Sequence, residues 1–225
     1  MQIKHYTIFN SSINILNWQA LRDDSNEEPY FLPFTREAYI QKVDVSSASK
    51  ITKEIIEICQ QLKLKNIFSI GSGLAAQEYQ LKKYSTIPVI VSDYTESIDR
   101  LRSYNIFDNA IMLDVLNDPL PIDENTLVLL PRIDTEFNNN QLSIIFNKCF
   151  QLKVKYIWFI PAELLSLHIL AAEMKIALLS LILNKPRVYC GDARSLGCFK
   201  SIWGMHYHII RTYKFGIKTF LLQRN

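Results

Sequence analysis

The sequence is poor in the residues that mark disordered, fibrous and disulfide-rich chains. Its 225 residues include 6 glycines, 8 prolines and 4 cysteines, while 48% of them are hydrophobic. This composition excludes a low-complexity or collagen-like chain and suffices for one large domain with a buried core. The cysteines form no CxxC pair and no His/Cys cluster at metal-ligand spacing, and they stand at Cys59, Cys149, Cys190 and Cys198. We therefore expect buried, reduced thiols in a cytosolic protein, and no metal site.

A large excess of one charge is also missing. The net charge is +3, and lysines alternate with acids instead of forming a basic stripe. This balance argues against nucleic acid as a partner. The N-terminal MQIKHYTIFNSS lacks an uninterrupted apolar core and a cleavage site, so we expect a cytoplasmic protein and no secretion signal.

The chain has no long hydrophobic run free of charge. Residues 164–183 reach the length of a bilayer span, but His168, Glu173 and Lys175 lie in the middle, where charge is costly in lipid. We therefore expect no integral membrane span. A mostly buried helix is the favoured interpretation, with His168 as a hydrogen-bonded core residue. A helix that buries a homodimer or partner surface is the other.

What the sequence does contain is a regular alternation of strands and helices. Short apolar runs are followed by segments of helical spacing, and they occupy residues 66–70, 88–92, 110–113, 126–130 and 156–160. Such continuous apolar strands predict a parallel sheet covered on both faces. Two further strand-like runs, 205–213 and 217–223, are joined by so short a connection that they must be antiparallel. We predict an α/β, three-layer Rossmann-like sandwich: a mostly parallel seven-stranded sheet with a C-terminal antiparallel pair.

The first 45 residues differ from the rest. They carry aromatic residues among polar ones and predict short helices and loops. A serine cluster at 46–49 then suits the cap of a helix with an apolar stripe that includes Ile55 and Ile58. We therefore divide the chain into an N-terminal segment, 1–45, and a main domain, 46–225.

Two of the six glycines lie two residues apart, directly after the first predicted strand, in IFSIGSGLAAQE. Glycine there permits positive φ and brings backbone N–H groups close to a ligand. Gly71, Gly73 and Ala76 fit the GxGxxG/A dinucleotide fingerprint. Asp93, about 20 residues further on, ends the second strand, where a carboxylate can accept hydrogen bonds from a ribose diol. Asp114 ends the third strand, so the three positions predict a nucleotide site at the carboxyl ends of neighbouring strands.

The glycine turn Gly71-Ser72-Gly73, the acids Asp93 and Asp114, and the terminal antiparallel pair together resemble a class I S-adenosylmethionine-dependent methyltransferase over residues 46–225. The resemblance implies S-adenosyl-L-methionine as cofactor and a cover formed by residues 1–45. The family usually carries an acid where this chain has Ser69, and a third glycine where it has Ala75. The residues implied to bind the cofactor are Ser69, Gly71, Ser72, Gly73, Asp93, Tyr94, Asp114, Val115 and Pro131.

The segment LPRIDTE, 130–136, follows the fourth strand, where the family lines its methyl-transfer site. The resemblance makes Arg132, Asp134 and Glu136 the catalytic candidates, although an acid here also suits a helix cap. A base is needed only if the acceptor must lose a proton, because the methyl group arrives already activated. Arg194 is either part of an acceptor pocket or a surface residue beside a cap at Ser195.

Three functions follow from these patterns. The first is methyl transfer to a small-molecule or carrier-linked acceptor. The second is a non-catalytic methyltransferase-like binding or scaffold protein, which Ser69 and the 164–183 helix suggest. The third is an NAD(P)-dependent oxidoreductase, which the glycine fingerprint also allows, although the pair Tyr79 and Lys83 comes too early in the chain to serve a reductase.

Overall fold

The computed structural model describes residues 1–7, 18–28 and 30–225, without the side chains of Thr7, Val188, Cys190 and Ile217. The strands within these residues are β1 (Gln2–Thr7), β2 (Asn66–Ile70), β3 (Val89–Asp93), β4 (Asn109–Met112), β5 (Thr126–Pro131), β6 (Tyr156–Ile160), β7 (Val188–Arg194), β8 (Tyr207–Phe215) and β9 (Ile217–Arg224). The helices are α1 (Trp18–Asp23), α2 (Arg36–Val43), α3 (Lys50–Gln61), α4 (Ala76–Tyr84), α5 (Ile98–Ser103), α6 (Asn139–Gln151), α7 (Leu167–Leu183) and α8 (Leu196–Trp203). A single 3₁₀ turn, Ile133–Thr135, follows β5.

The main sheet has seven strands in the order β4-β3-β2-β5-β6-β9-β8. Neighbours from β4 to β6 are parallel, whereas β9 runs antiparallel to both β6 and β8. The mostly parallel sheet with an antiparallel C-terminal pair is therefore confirmed. The chain order reverses between β2 and β5, and open α/β sheets bind ligands at such a switch point.

Alternate residues of the central strands enter two separate cores, as the pleat requires. On one face Ile67, Leu127 and Trp158 join the hydrophobic residues of α3, α4 and α5. On the other face Phe68, Val128, Leu130 and Phe159 pack against α6 and α8. The three-layer sandwich thus follows from strands that are apolar on both sides.

Two predicted helix features are confirmed. The Ser49 side chain caps α3 by accepting the N–H of Thr52 at 3.2 Å, and Ile55 and Ile58 are buried along its apolar stripe. Ser195 caps α8 in the same way, accepting the N–H of Cys198 at 3.2 Å.

A second, two-stranded sheet was not predicted. β1 pairs antiparallel with β7, His5 lying opposite Gly191, so the expectation of only helices and loops near the N-terminus is wrong for Gln2–Thr7. Almost the whole chain separates the two strands, and an isolated pair of this kind has no strong local signal. Its stability comes from the contacts that β1 and β7 make with the rest of the fold.

Helix α7 is not mostly buried, as we had expected. Within α7 only Ile169 is buried. His168 is exposed and does not lie in a core. Apolar residues all round a helix predict burial in a single chain, and here that reasoning fails. None of the helices in the described ranges is long and apolar enough to cross a membrane.

The described cysteine side chains are free thiols. Cys59 and Cys149 are fully buried, and burial raises the pKa of each thiol to about 12. Cys198 is half-buried, and the side chain of Cys190 lies outside the described part of the structure.

Candidate active site

A cavity of about 1100 Å³ opens at the carboxyl ends of β2 to β6. We call the half over the glycine turn the nucleotide half, after the sequence pattern found there, and the half between the loop after β5 and the β1–β7 sheet the acceptor half. Of the predicted site residues, Gly71, Ser72, Gly73, Asp93, Tyr94, Asp114, Val115, Pro131, Arg132 and Glu136 line it. Ser69 and Asp134 do not line it.

The turn after β2 has the conformation that its glycines predict. Gly71 and Gly73 have φ values of +69° and +61°. A Cβ atom on Gly71 would stand 2.7 Å from Cγ2 of Ile133, so no other residue fits there without movement. Between the glycines, Ser72 donates both its N–H and its hydroxyl to the carbonyl of Ser92, each at 2.9 Å, which ties the turn to β3.

Ala75 is a strained substitute for the third glycine. It has φ +52° and directly precedes α4, whose first residue is Ala76. A left-handed conformation costs a non-glycine residue about 1–2 kcal/mol. Arg132, at the mouth of the cavity, has φ +58° as well. Of the six described non-glycine residues with positive φ, these two line the cavity and the other four lie elsewhere.

Asp93 lies in the nucleotide half of the cavity, where its carboxylate contacts several elements. It is 5% exposed, and its Oδ1 accepts the N–H and hydroxyl of Thr95 at 3.1 and 3.0 Å. Its Oδ2 accepts the N–H of Gly73 at 2.9 Å and lies 3.5 Å from Nη2 of Arg22. The carboxylate therefore connects the glycine turn, the loop after β3 and α1. The sequence pattern had predicted its position at the end of a strand but not these contacts.

The sequence did not reveal the contribution of α1. Arg22 is 7% exposed, and its Nε has no hydrogen-bond partner among the described residues. Burial lowers the pKa of its guanidinium, while Asp93 opposes that change. On the same helix, Trp18 donates its indole N–H to Glu136 at 2.6 Å. Burial raises the pKa of Glu136, and the Trp18 hydrogen bond opposes the rise. These contacts hold α1 across the cavity, from the end of β3 to the loop after β5.

A buried carboxylate lies beside Ser69. Glu78, in the first turn of α4, is 2% exposed, lines the cavity and accepts the Ser69 hydroxyl at 2.5 Å. Burial raises the pKa of Glu78, and the Ser69 hydrogen bond opposes that rise. An acid is thus present in this region, but it comes from the helix and not from the strand.

Asp114 is exposed and forms its own turn. Its oxygens accept the N–H of Leu116 at 2.9 Å and the amide of Asn117 at 2.7 Å, and these hydrogen bonds, led by that of Asn117, lower the pKa of Asp114. Tyr94 and Met112, 52% and 44% exposed, line the cavity nearby and offer apolar surface to a flat ring.

Asp134 differs from the other two catalytic candidates. It is fully buried and accepts the N–H of Ala162 at 2.8 Å through Oδ1, whereas its Oδ2 has no partner within the described part of the chain. Burial raises its pKa to about 6. The carboxyl group joins the loop after β5 to the end of β6, whereas Arg132 and Glu136 face the cavity.

Arg194 supports the loop that follows β5. It is fully buried and not at the surface, and it donates to the carbonyl of Asp134, to the carbonyl of Phe137 at 2.6 Å and to Oδ1 of Asn139 at 2.7 Å. The arginine of β7 thus fixes the shape of the loop that forms one wall of the cavity.

The acceptor half contains a histidine–carboxylate pair that the sequence did not indicate. His5 of β1 lines the cavity, and its Nδ1 is hydrogen-bonded to Oε1 of Glu173 on α7. The same oxygen accepts the N–H of Tyr6 at 3.2 Å. Because a carboxylate only accepts hydrogen bonds, Nδ1 carries the proton, and in a neutral imidazole Nε2 is then an acceptor. Two further acids, Glu163 and Asp192, line this half.

Comparisons with known proteins show the fold. Human N-acetylserotonin methyltransferase in complex with SAM is 16% identical, with a TM-score of 0.60 over 92% of this chain and 58% of that one. The mitomycin 7-O-methyltransferase MmcR is 12% identical, with a TM-score of 0.59 over 96% and 62%. OxaC in complex with sinefungin and meleagrin is 13% identical, with a TM-score of 0.53 over 71% and 43%.

The chain therefore has the class I methyltransferase fold, and it spans about two fifths to three fifths of the length of these proteins. No protein-family model matches the sequence, and no curated protein matches it significantly.

Proposed function

We propose that the protein transfers a methyl group from S-adenosyl-L-methionine to a small-molecule or carrier-linked acceptor. The observation that carries this proposal is the convergence of Gly71, Gly73, Asp93 and Asp114 on one cavity, at the carboxyl ends of β2, β3 and β4. Structural neighbours that are SAM complexes or methyltransferases support it. A nicotinamide oxidoreductase is less favoured, because β9 enters the sheet antiparallel beside β6, where the dinucleotide-binding fold continues in parallel.

The nucleotide half fits the cofactor. Gly71 and Gly73 let the backbone approach a ligand, and a Cβ at Gly71 would remove that freedom. Within the described ranges, Oδ2 of Asp93 has a firm bond only to Gly73, since 3.5 Å to Arg22 is beyond a strong charge-assisted hydrogen bond. This oxygen can therefore accept a ribose hydroxyl. Asp114 retains free lone pairs on an exposed carboxylate that would face an adenine amino group.

The methionine end of the cofactor carries an ammonium and a carboxylate group, and the turn has a partner for each. Glu78, with Ser69 as its hydrogen-bond donor, would hold the ammonium group. Arg22, which lines the cavity, would hold the carboxylate group with its guanidinium. The serine at position 69 therefore does not argue for an inactive domain, because the charge that it lacks is supplied nine residues later.

The bound cofactor would supply a methyl group on a positively charged sulfur, which needs no further activation. What remains for the protein is to position the acceptor and, for a hydroxyl or amine, to remove a proton. Nε2 of His5 can take that proton, and Glu173 then stabilises the imidazolium cation. Residues 1–45 contribute β1 and α1 to this half, which supports their interpretation as a cover over the site.

The cofactor is tested by isothermal titration calorimetry with S-adenosyl-L-homocysteine, with NAD⁺ as the comparison ligand. We expect S-adenosyl-L-homocysteine to bind and NAD⁺ not to bind. At 100 times its Kd, S-adenosyl-L-homocysteine should raise the free energy of unfolding by about 2.7 kcal/mol. Asp93→Ala should weaken binding about 100-fold, because it removes a charged acceptor. Asp99→Ala, an exposed aspartate on α5, is the matched control and should bind normally. Failure of the wild-type protein to bind at millimolar ligand would refute the proposal.

The acceptor is tested by incorporation of a labelled methyl group into a panel of phenols, alcohols, amines and thioethers. We expect methylated products from the phenols, alcohols or amines, which are the classes that lose a proton on methylation. His5→Gln should slow turnover at least about 100-fold while leaving cofactor affinity unchanged. If cofactor affinity falls in parallel with turnover, His5 supports the cavity instead of moving a proton.

A further inference from the structure

Helix α7 presents a continuous apolar stripe to solvent. Leu167, Ala171, Met174, Leu178 and Leu181 are all exposed, the four large side chains by 85%, 68%, 59% and 79% in that order. The intervals between these residues are four, three, four and three. This is the 3.5-residue repeat that places side chains in the seam between two packed helices.

The opposite face of α7 packs against the rest of the same chain. Ile169 is buried there, and Glu173 binds the side chain of His5 and the N–H of Tyr6. The outer stripe is therefore distinct from the face that supports the cavity. Among the described residues, six of the sixteen exposed large hydrophobic side chains belong to this one helix.

The exposed apolar area of α7 is in the range of a protein interface. With roughly 200 Å² for a fully exposed residue of this size, the four large side chains of the stripe present ~580 Å², at the upper end of the largest apolar patch that is usual for a monomer. Ile182 and Leu183, exposed at the end of the same helix, raise the total to ~800 Å², about what one partner contributes to a standard protein–protein interface. Lys175 is the one formal charge on the outer side of the helix, and its flexible stem allows the ammonium group to stay in water.

We infer that α7 is a homodimer interface, in which the stripe of one copy packs against the same stripe of a second copy. A self-complementary seam suits a two-fold axis, because each residue then meets the equivalent set on its partner. Met174 lies at the centre of the stripe, so full overlap brings it next to its counterpart whether the helices run parallel or antiparallel. The interface also holds the helix that carries Glu173, and so steadies the acceptor half of the cavity in each copy.

The mass in solution tests the inference. Sedimentation equilibrium between 1 and 100 μM should give twice the 26.2 kDa of one chain. The double variant Met174→Glu/Leu178→Glu should give a monomer with an unchanged circular dichroism spectrum, because glutamate is a good helix former and both sites are exposed. Ile144→Glu, at a 46% exposed position on α6, is the matched control and should remain dimeric.

A second measurement does not depend on a disruptive variant. Met174→Cys should form an intersubunit disulfide under mild oxidation, and wild-type protein under the same conditions corrects for the native thiols. A wild-type monomer at all concentrations would overturn the inference. So would a dimer that survives the double variant and gives no intersubunit disulfide in the Met174→Cys variant. A monomer that binds phosphatidylcholine vesicles through α7 would overturn it in favour of a lipid surface.

Discussion

Asp134→Asn is the substitution with the best-defined consequence. In the folded protein burial raises the pKa of Asp134 to about 6, from an ordinary value of 3.8. The folded state thus holds the proton more tightly than the unfolded state. The contribution of this group to stability is fully present below pH 3.8 and is lost as the pH rises through 6. The total loss is about 3 kcal/mol, and roughly two thirds of it falls above pH 4.5.

An amide at position 134 does not titrate and can still accept the N–H of Ala162. Relative to wild type, Asp134→Asn should therefore gain about 2 kcal/mol of unfolding free energy between pH 4.5 and pH 7.5. Urea unfolding followed by tryptophan fluorescence measures the difference at each pH. Asp99→Asn, at an exposed position, is the control and should show no comparable trend.

Parallel pH curves for wild type and Asp134→Asn would refute this reasoning, because they would mean that folding leaves the pKa of Asp134 at its ordinary value. Cofactor affinity should also be unchanged in the variant, since Asp134 does not line the cavity. A loss of affinity together with parallel curves would return Asp134 to the group of candidate catalytic residues.

Three further predictions concern the loop, the turn and the buried acid. Arg194→Ala should cost at least about 3 kcal/mol in urea unfolding, because it leaves buried oxygens unpaired, whereas the exposed Arg36→Ala should stay within about 0.5 kcal/mol. Gly71→Ala should lower the melting temperature more than Gly216→Ala, since both have positive φ but a Cβ at Gly216 meets nothing within 4 Å; equal losses would exclude the steric contribution. Glu78→Gln should weaken S-adenosylmethionine binding about tenfold without loss of stability, and unchanged affinity would contradict its role at the ammonium group.

The nucleotide half of the site was largely predictable from sequence. Its parts are local, because a strand followed by a glycine turn or an acid is a short pattern, and parallel strands bring their carboxyl ends to one edge. Gly71, Gly73, Asp93 and Asp114 therefore lie at the cavity where the pattern put them. The sequence also showed a serine at position 69, where the family that it resembles usually has an acid. It did not show that the carboxylate of Glu78 lies beside that serine.

The acceptor half was not predictable in this way. His5 and Glu173 are separated by 168 positions and meet only because β1 pairs with β7 beside α7. Asp134 was predicted to be a catalytic residue or a helix cap, and Arg194 a pocket residue or a surface residue, yet burial makes both of them supports of the loop.

The sequence alone thus determined the alternation of apolar strands and helices, and with it the layered sheet and its glycine turn. Only the tertiary structure decided which polar groups are buried and which face α7 leaves open. Periodicity specifies the faces of one element, whereas burial and pairing depend on what the rest of the chain places against each face.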